Sequence, residues 1–154
     1  MIIDSHCHLT YEPMSNALNE TIDRANKDGI KYMLTISTED KSFEQILKIV
    51  NGYESVYGTY GIHPHEAKSH QHIKSDDIIN KVNQNKKIIG IGETGLDFYY
   101  NHSEKKDQIY SFEEHISAAQ EKNLPLIVHT RSAEKETLQI LEKHSKKKET
   151  KILI

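Results

Sequence analysis

The chain has 154 residues, 36% of them apolar and 28% charged, with seven Gly, three Pro and one Cys, the composition of an ordinary globular protein and a length suited to one domain. Lys and Arg number 20 against 23 Asp and Glu, a net charge of -3. That balance excludes a broad basic face coating nucleic acid, so any nucleic-acid contact must be local. A single cysteine excludes a disulfide framework, and no run approaches the roughly 18 apolar residues of a membrane span. The start Met1-Ile2-Ile3-Asp4 lacks the basic and apolar regions of a secretory signal. A cytoplasmic location is expected, which makes the sequons Asn19-Glu20-Thr21 and Asn101-His102-Ser103 accidental.

Short runs rich in Ile, Val and Tyr alternate with segments of helical period, and this predicts an α/β fold, a parallel sheet with crossover helices. The first predicted strand, Ile2 to His8, ends in His6-Cys7-His8. Alternation along a strand sends His6 and His8 to one face and Cys7 to the other. The two imidazoles are metal-ligand candidates or hydrogen-bonded core residues; Cys7 reads as a small apolar residue rather than a third ligand. The first helix carries Leu18, Ile22 and Ala25 on one face and closes at Asp28-Gly29, where glycine suits a left-handed C-cap. A second strand, Lys31 to Ser37, precedes a helix with the stripe Phe43, Ile46, Leu47 and Val50.

The third strand, Val56 to Ile62, leads into Gly61-Ile62-His63-Pro64-His65, a loop stiffened by Pro64. Its histidines are candidates for ligands, acid–base groups or phosphate donors, or are plain surface residues. The third helix opens at Ser75 ahead of Asp76 and Asp77 and shows Ile78, Ile79 and Val82 to the sheet. The fourth strand, Lys87 to Glu93, is apolar until it delivers a carboxylate, which when buried needs a cation, a hydrogen-bond network or water. Asp97 and Tyr99 follow in a loop suited to substrate contact. The fourth helix presents Ile109, Phe112, Ile116 and Ala119. The fifth strand, Pro125 to Thr130, ends with His129, and Arg131 beyond it is one of two arginines, whose planar guanidinium suits an oxyanion or phosphate. A fifth helix carries Leu138 and Leu141, the run Lys146-Lys147-Lys148 reads as a solvated helix end, and Lys151 to Ile154 begins a sixth strand.

Ligand-type side chains thus stand at the C-terminal ends of the first, fourth and fifth strands, as His6, His8, Glu93 and His129. In parallel α/β folds the βα loops gather at that edge and sites assemble there. The pattern predicts a divalent-metal site; imidazoles suit Zn, Mn, Fe or Co, and a carboxylate accommodates Mg.

Asp4-Ser5-His6-Cys7-His8, Gly61-Ile62-His63-Pro64-His65, Gly90-Ile91-Gly92-Glu93-Thr94-Gly95-Leu96-Asp97 and Val128-His129-Thr130-Arg131, in this order, resemble the TatD family of metal-dependent deoxyribonucleases. The resemblance implies a TIM (β/α)8 barrel in which residues 1–154 form the N-terminal part of a single hydrolase domain, about five βα units and the start of strand six. It implies two divalent ions (Mg, Mn or Zn), one held by His6 and His8, the other partly by His129, with Glu93 bridging them. His63, His65 and Arg131 would bind the phosphate and the developing oxyanion. The implied reaction is hydrolysis of DNA phosphodiester bonds at short single-stranded ends; the alternatives are hydrolysis of C–N bonds by the same kind of site, or an inactive half-barrel. Family members also draw a histidine from strand six and an aspartate from strand eight, and neither falls within these 154 residues. A truncated barrel is therefore expected to bind metal weakly and to self-associate, or take up a complementing fragment, through open sheet edges.

Overall fold

A computed structural model describes residues 1–146 and 148–154. Six parallel strands, β1 (Ile2–Cys7), β2 (Ile30–Thr35), β3 (Val56–Tyr60), β4 (Ile88–Asp97), β5 (Leu126–Arg131) and β6 (Ile152–Leu153), lie side by side in chain order. Five helices connect them: α1 (Leu18–Lys27), α2 (Phe43–Gly52), α3 (Ser75–Val82), α4 (Lys105–Lys122) and α5 (Glu134–Ser145). A parallel sheet that never reverses its order winds in one direction, as a (β/α) barrel does, and brings every βα loop to one rim. No helix among the described residues is long and apolar enough to cross a membrane.

The helix stripes meet the sheet largely as the periodicity demands. Phe43, Ile46 and Val50 of α2, Ile78 and Val82 of α3, and Phe112, Ile116 and Ala119 of α4 are buried against Val56, Ile88, Ile91 and Leu126. Burying each large aliphatic or aromatic side chain contributes about 1.5–3 kcal/mol. On the opposite face Ile3, Tyr32 and Ile89 stay exposed and share an apolar groove of about 290 Å³ with Tyr57.

Two expectations need correction. Leu138 does not face the sheet: it is 57% exposed. The buried stripe of α5 is Thr137, Leu141 and His144, spaced four and three residues apart, with Thr137 hydrogen bonded to Thr130. Ser75 is the first residue of α3, as expected, and carboxylates hold that end: Asp77 accepts the N–H of Lys74 and Glu114 that of Ser75. Asp97 is not in a loop. β4 runs four residues past Glu93, because Thr94 to Asp97 pair with Val128 to Arg131 after a bulge between Ile91 and Thr94. Of the lysine run, Lys146 and Lys148 are exposed and Lys147 lies outside the described residues.

Candidate metal centre

Three strands and one turn aim their polar ends at a single cleft of about 390 Å³ on the rim, with His8, His63, His65, Glu93 and His129 in its wall. β1 supplies His6, and His8 follows just past its end. His6 and His8 fall on the same face, their Nε2 atoms 3.3 Å apart and 3.5 and 3.8 Å from Glu93 Oε2. Cys7 points the other way, half-buried against the core with Sγ donating to the Leu34 carbonyl, and burial pushes its thiol up to about 12. A neutral thiol facing the helix layer cannot act as a thiolate ligand on this rim.

Glu93 is placed by the bulge of β4. Its N–H donates to the Ser37 carbonyl at 2.8 Å, and the neighbouring Gly92 carbonyl accepts from Thr59 Oγ at 2.5 Å. Ser37 in turn donates its N–H to Thr59 Oγ and its hydroxyl to the Gly61 carbonyl. This buried network ties the ends of β2, β3 and β4 together and leaves the Glu93 carboxylate turned toward the histidines. Burial would raise its pKa, but the hydrogen bond from His129 and the positive field of the surrounding imidazoles outweigh that, holding it ionised below the usual carboxylate range.

On the far side His129 Nδ1 stands 3.2 Å from Glu93 Oε1, and its Nε2 donates to Asp97 Oδ2 at 3.1 Å. The same Asp97 oxygen accepts from His65 Nε2 at 2.8 Å, while Oδ1 accepts the N–H groups of Tyr99 and Tyr100. Burial opposes ionisation of Asp97, yet these donors prevail and hold it down to about 2. Burial also lowers His129, but two carboxylates outweigh it and raise its pKa. Asp97 is thus the carboxylate that fixes two imidazoles by their outer nitrogens, the usual support behind metal-binding histidine.

His63 lies with Glu93 and His129 within ligand range, and its tautomer is informative. It precedes the 3₁₀ turn Pro64–His70 and caps it: Nδ1 accepts the N–H of His65 at 3.2 Å. Burial holds the ring neutral, down to about 4. A neutral imidazole whose Nδ1 accepts must carry its proton on Nε2, which makes it a donor into the cleft. Arg131 lies outside the cleft wall, its guanidinium 5.3 Å from the centre of the Tyr100 ring.

A divalent ion fits this donor set. Ligands about 2.1 Å from a tetrahedral ion lie about 3.4 Å from one another, close to the separations among His6, His8 and Glu93. His6, His8 and Glu93 form one candidate group, and His63, Glu93 and His129 a second, with Glu93 common to both.

Sequence reasoning missed Tyr11, stacked on His8 at 5.1 Å with its hydroxyl against Thr38, and the supporting part of Asp97. It also missed the fully buried His115 of α4, whose pKa burial lowers from the ordinary 6.5 to about 4. The polar positions 108, 111 and 115 recur at helical spacing within an otherwise apolar stripe, and that was the available signal. A base depressed in the folded state stabilises above its unfolded pKa and loses that contribution as pH falls through the folded one. Chelator-treated protein should therefore lose up to about 3 kcal/mol of unfolding free energy between pH 7 and pH 4 from His115 alone. Urea titrations that give one midpoint across this window would contradict it.

Among known proteins, the model of the family described as "TatD related DNase" matches residues 3–154. An uncharacterized metal-dependent hydrolase of Buchnera aphidicola is 35% identical over 150 residues, spanning 95% of this chain and 56% of that protein. The 3'-5' ssDNA/RNA exonuclease TatD of Salmonella typhimurium is 30% identical over 141 residues, spanning 92% and 54%. The crystal structure of YjjV, a TatD homologue from Escherichia coli K12, superposes with a TM-score of 0.86 at 25% identity over 93% of this chain and 56% of that one. The chain spans about half the length of the curated relatives it matches. With a family match over nearly its whole length and the barrel-type parallel sheet beneath it, the chain belongs to the TatD-related DNase family.

Proposed function

We propose that this chain carries the metal-binding part of a divalent-metal-dependent phosphodiesterase that trims single-stranded DNA ends. The observation that carries the reading is one ionised carboxylate, Glu93, shared between the His6–His8 pair on one side and His129 on the other. Two ions bound there would lower the pKa of a coordinated water and neutralise phosphate charge during in-line attack. His6 and His8 would hold one, His129 the other, and Glu93 both.

The remaining roles belong to the chain's own groups. Glu39 and Glu66 join Glu93 in the cleft wall, so the metal-free cleft repels a phosphodiester and admits it only once cations are bound. His63 donates Nε2–H to a phosphate oxygen, and the turn it caps keeps that proton pointed inward. His65 is held by Asp97 and lies beside Tyr100 and His102, at 5.5 and 4.6 Å between ring centres. Tyr99, 65% exposed, packs edge-on against Tyr100, and Arg131 stacks on Tyr100 from β5. This aromatic shelf beside the cleft suits bases of a single strand, which stack on such faces at about 1–3 kcal/mol per base. Arg131 would then serve the strand at the shelf rather than the reacting phosphate.

Protein stripped with chelator and reloaded with Mn, Mg or Zn should shorten 5'-labelled single-stranded DNA from its 3' end and leave duplex interiors intact. Hydrolysis of a panel of amides without release of nucleotides would assign the site to C–N bonds instead. Failure to take up any divalent ion would overturn the metal-centre reading altogether.

A further inference from the structure

We propose that helix α4 positions the metal centre through two buried polar side chains, Gln108 and His115, which grip the backbone behind the site without touching its cleft. The inference rests on the metal-centre reading above and concerns what keeps that centre in shape.

Both side chains lie on the buried face of α4 among Phe112, Ile116 and Ala119, each only 1% exposed. A polar group in that position is costly unless fully hydrogen bonded, and each is. Gln108 clasps one residue from both sides: Oε1 accepts the N–H of Asp97 at 2.8 Å, and Nε2 donates to the Asp97 and Ser103 carbonyls at 3.0 Å. Asp97 carries the carboxylate that fixes His65 and His129. His115 does the same for the neighbouring strand end. Its Nδ1–H donates to the Ser111 carbonyl at 2.7 Å, within its own helix, and its Nε2 accepts the N–H of Ile62 at 3.0 Å. A carbonyl can only accept and an amide N–H only donate, so the neutral Nδ1–H tautomer is the one that satisfies both. Ile62 directly precedes His63.

Positions 108 and 115 are seven apart, two helical turns, and therefore on one stripe. That stripe meets the end of β4 through Gln108 and the segment leaving β3 through His115, the two places from which His63, His65 and Asp97 enter the site. An apolar side chain could fill either space. What it could not do is fix the height of α4 against the two strand ends, because apolar contact tolerates a slide that hydrogen bonds to named backbone atoms do not. Neither residue lines the cleft, so both are positioning residues rather than ligands or catalytic groups.

The test measures Mn²⁺ affinity by calorimetry in Gln108→Leu, His115→Phe and His115→Gln, with Ile116→Val as a variant of the same helix that disturbs only packing. Loss of either grip should weaken Mn²⁺ binding about 10- to 100-fold, as disturbed outer support does at metal sites. Ile116→Val should stay within about twofold. His115→Gln, which keeps an acceptor for Ile62, should recover part of what His115→Phe loses. Folded Gln108→Leu and His115→Phe proteins that bind Mn²⁺ like the unaltered protein would overturn the proposal. If those variants do not fold, unaltered protein decides: the amides of Ile62 and Asp97 should exchange slowly, and the ¹⁵N shifts of His115 should show Nε2 bare and Nδ1 protonated. Fast exchange at Ile62, or the opposite tautomer, would equally overturn it. If the unaltered protein binds no Mn²⁺, the metal-centre reading fails by itself, and exchange and tautomer still judge the grip.

Discussion

Changing Glu93 to Gln should weaken binding of divalent metal more than about a hundredfold, with a comparable or larger loss of phosphodiester hydrolysis. The side chain keeps its size and its place on the bulge of β4, where its own N–H still donates to Ser37, so the change removes charge rather than shape. That charge is shared: Glu93 Oε2 faces His6 and His8, and Oε1 faces His129. Weakening the outer support of a metal site already costs 10- to 100-fold; replacing the ligand common to both candidate groups should cost more. An amide would also turn one of its two ends, as an N–H₂ donor, toward imidazoles whose lone pairs face the same space. Calorimetric titration with Mn²⁺ or Zn²⁺ measures the effect directly, and a Glu93→Gln protein that binds these ions like the unaltered one would remove Glu93 from the centre.

The folded chain shows which parts of this site a sequence reader can see. His6 and His8 were legible because they stand two apart at the C-terminal end of the first strand, and they share a face although the pairing of β1 with β2 shifts register between Asp4 and Cys7. The placement of His129 followed for the same reason. The supporting part played by Asp97 was not legible, because the bulge between Ile91 and Thr94 changes the phase of β4; a strand with a bulge cannot be counted through by twos. Its length was hidden too, since Glu93 and Asp97 resemble the polar end of a strand and become part of it only by pairing with β5. The tautomer of His63 depends on the turn that follows Pro64, a local hydrogen bond that no periodicity encodes. In α5, Leu138 offered itself as a core residue by its helical spacing to Leu141, while the sheet took Thr137, whose hydroxyl meets Thr130. The polar stripe of α4 is the clearest case of pattern set against preference. Gln108, Ser111 and His115 break an apolar face at helical spacing, and hydrophobic scanning passes over them in favour of Phe112, Ile116 and Ala119.

The other large effect expected is structural. Gly95 should not tolerate even alanine: Gly95→Ala should lower stability by about 4–5 kcal/mol, and with it the melting temperature by about 10 °C or more. Two independent causes add. Gly95 has φ +138°, a region that costs an L-residue with a Cβ about 1–3 kcal/mol. In addition, a Cβ built there falls 2.0 Å from the carbonyl oxygen of His129, its partner across the β4–β5 ladder. That oxygen belongs to backbone and cannot rotate away, so relief requires β5 to move, and the residue it would displace is the one that faces Glu93 and Asp97. Metal affinity should therefore fall together with stability, although residue 95 itself touches no candidate ligand group. Gly52 supplies the contrast. It ends α2 with nothing within 4 Å of an added Cβ, so Gly52→Ala should be neutral or stabilise slightly, by up to about 1 kcal/mol. Thermal melts of the two variants side by side settle the matter, and a Gly95→Ala protein melting within about 2 °C of the unaltered one would show that the β4–β5 ladder is not packed as closely as this structure has it.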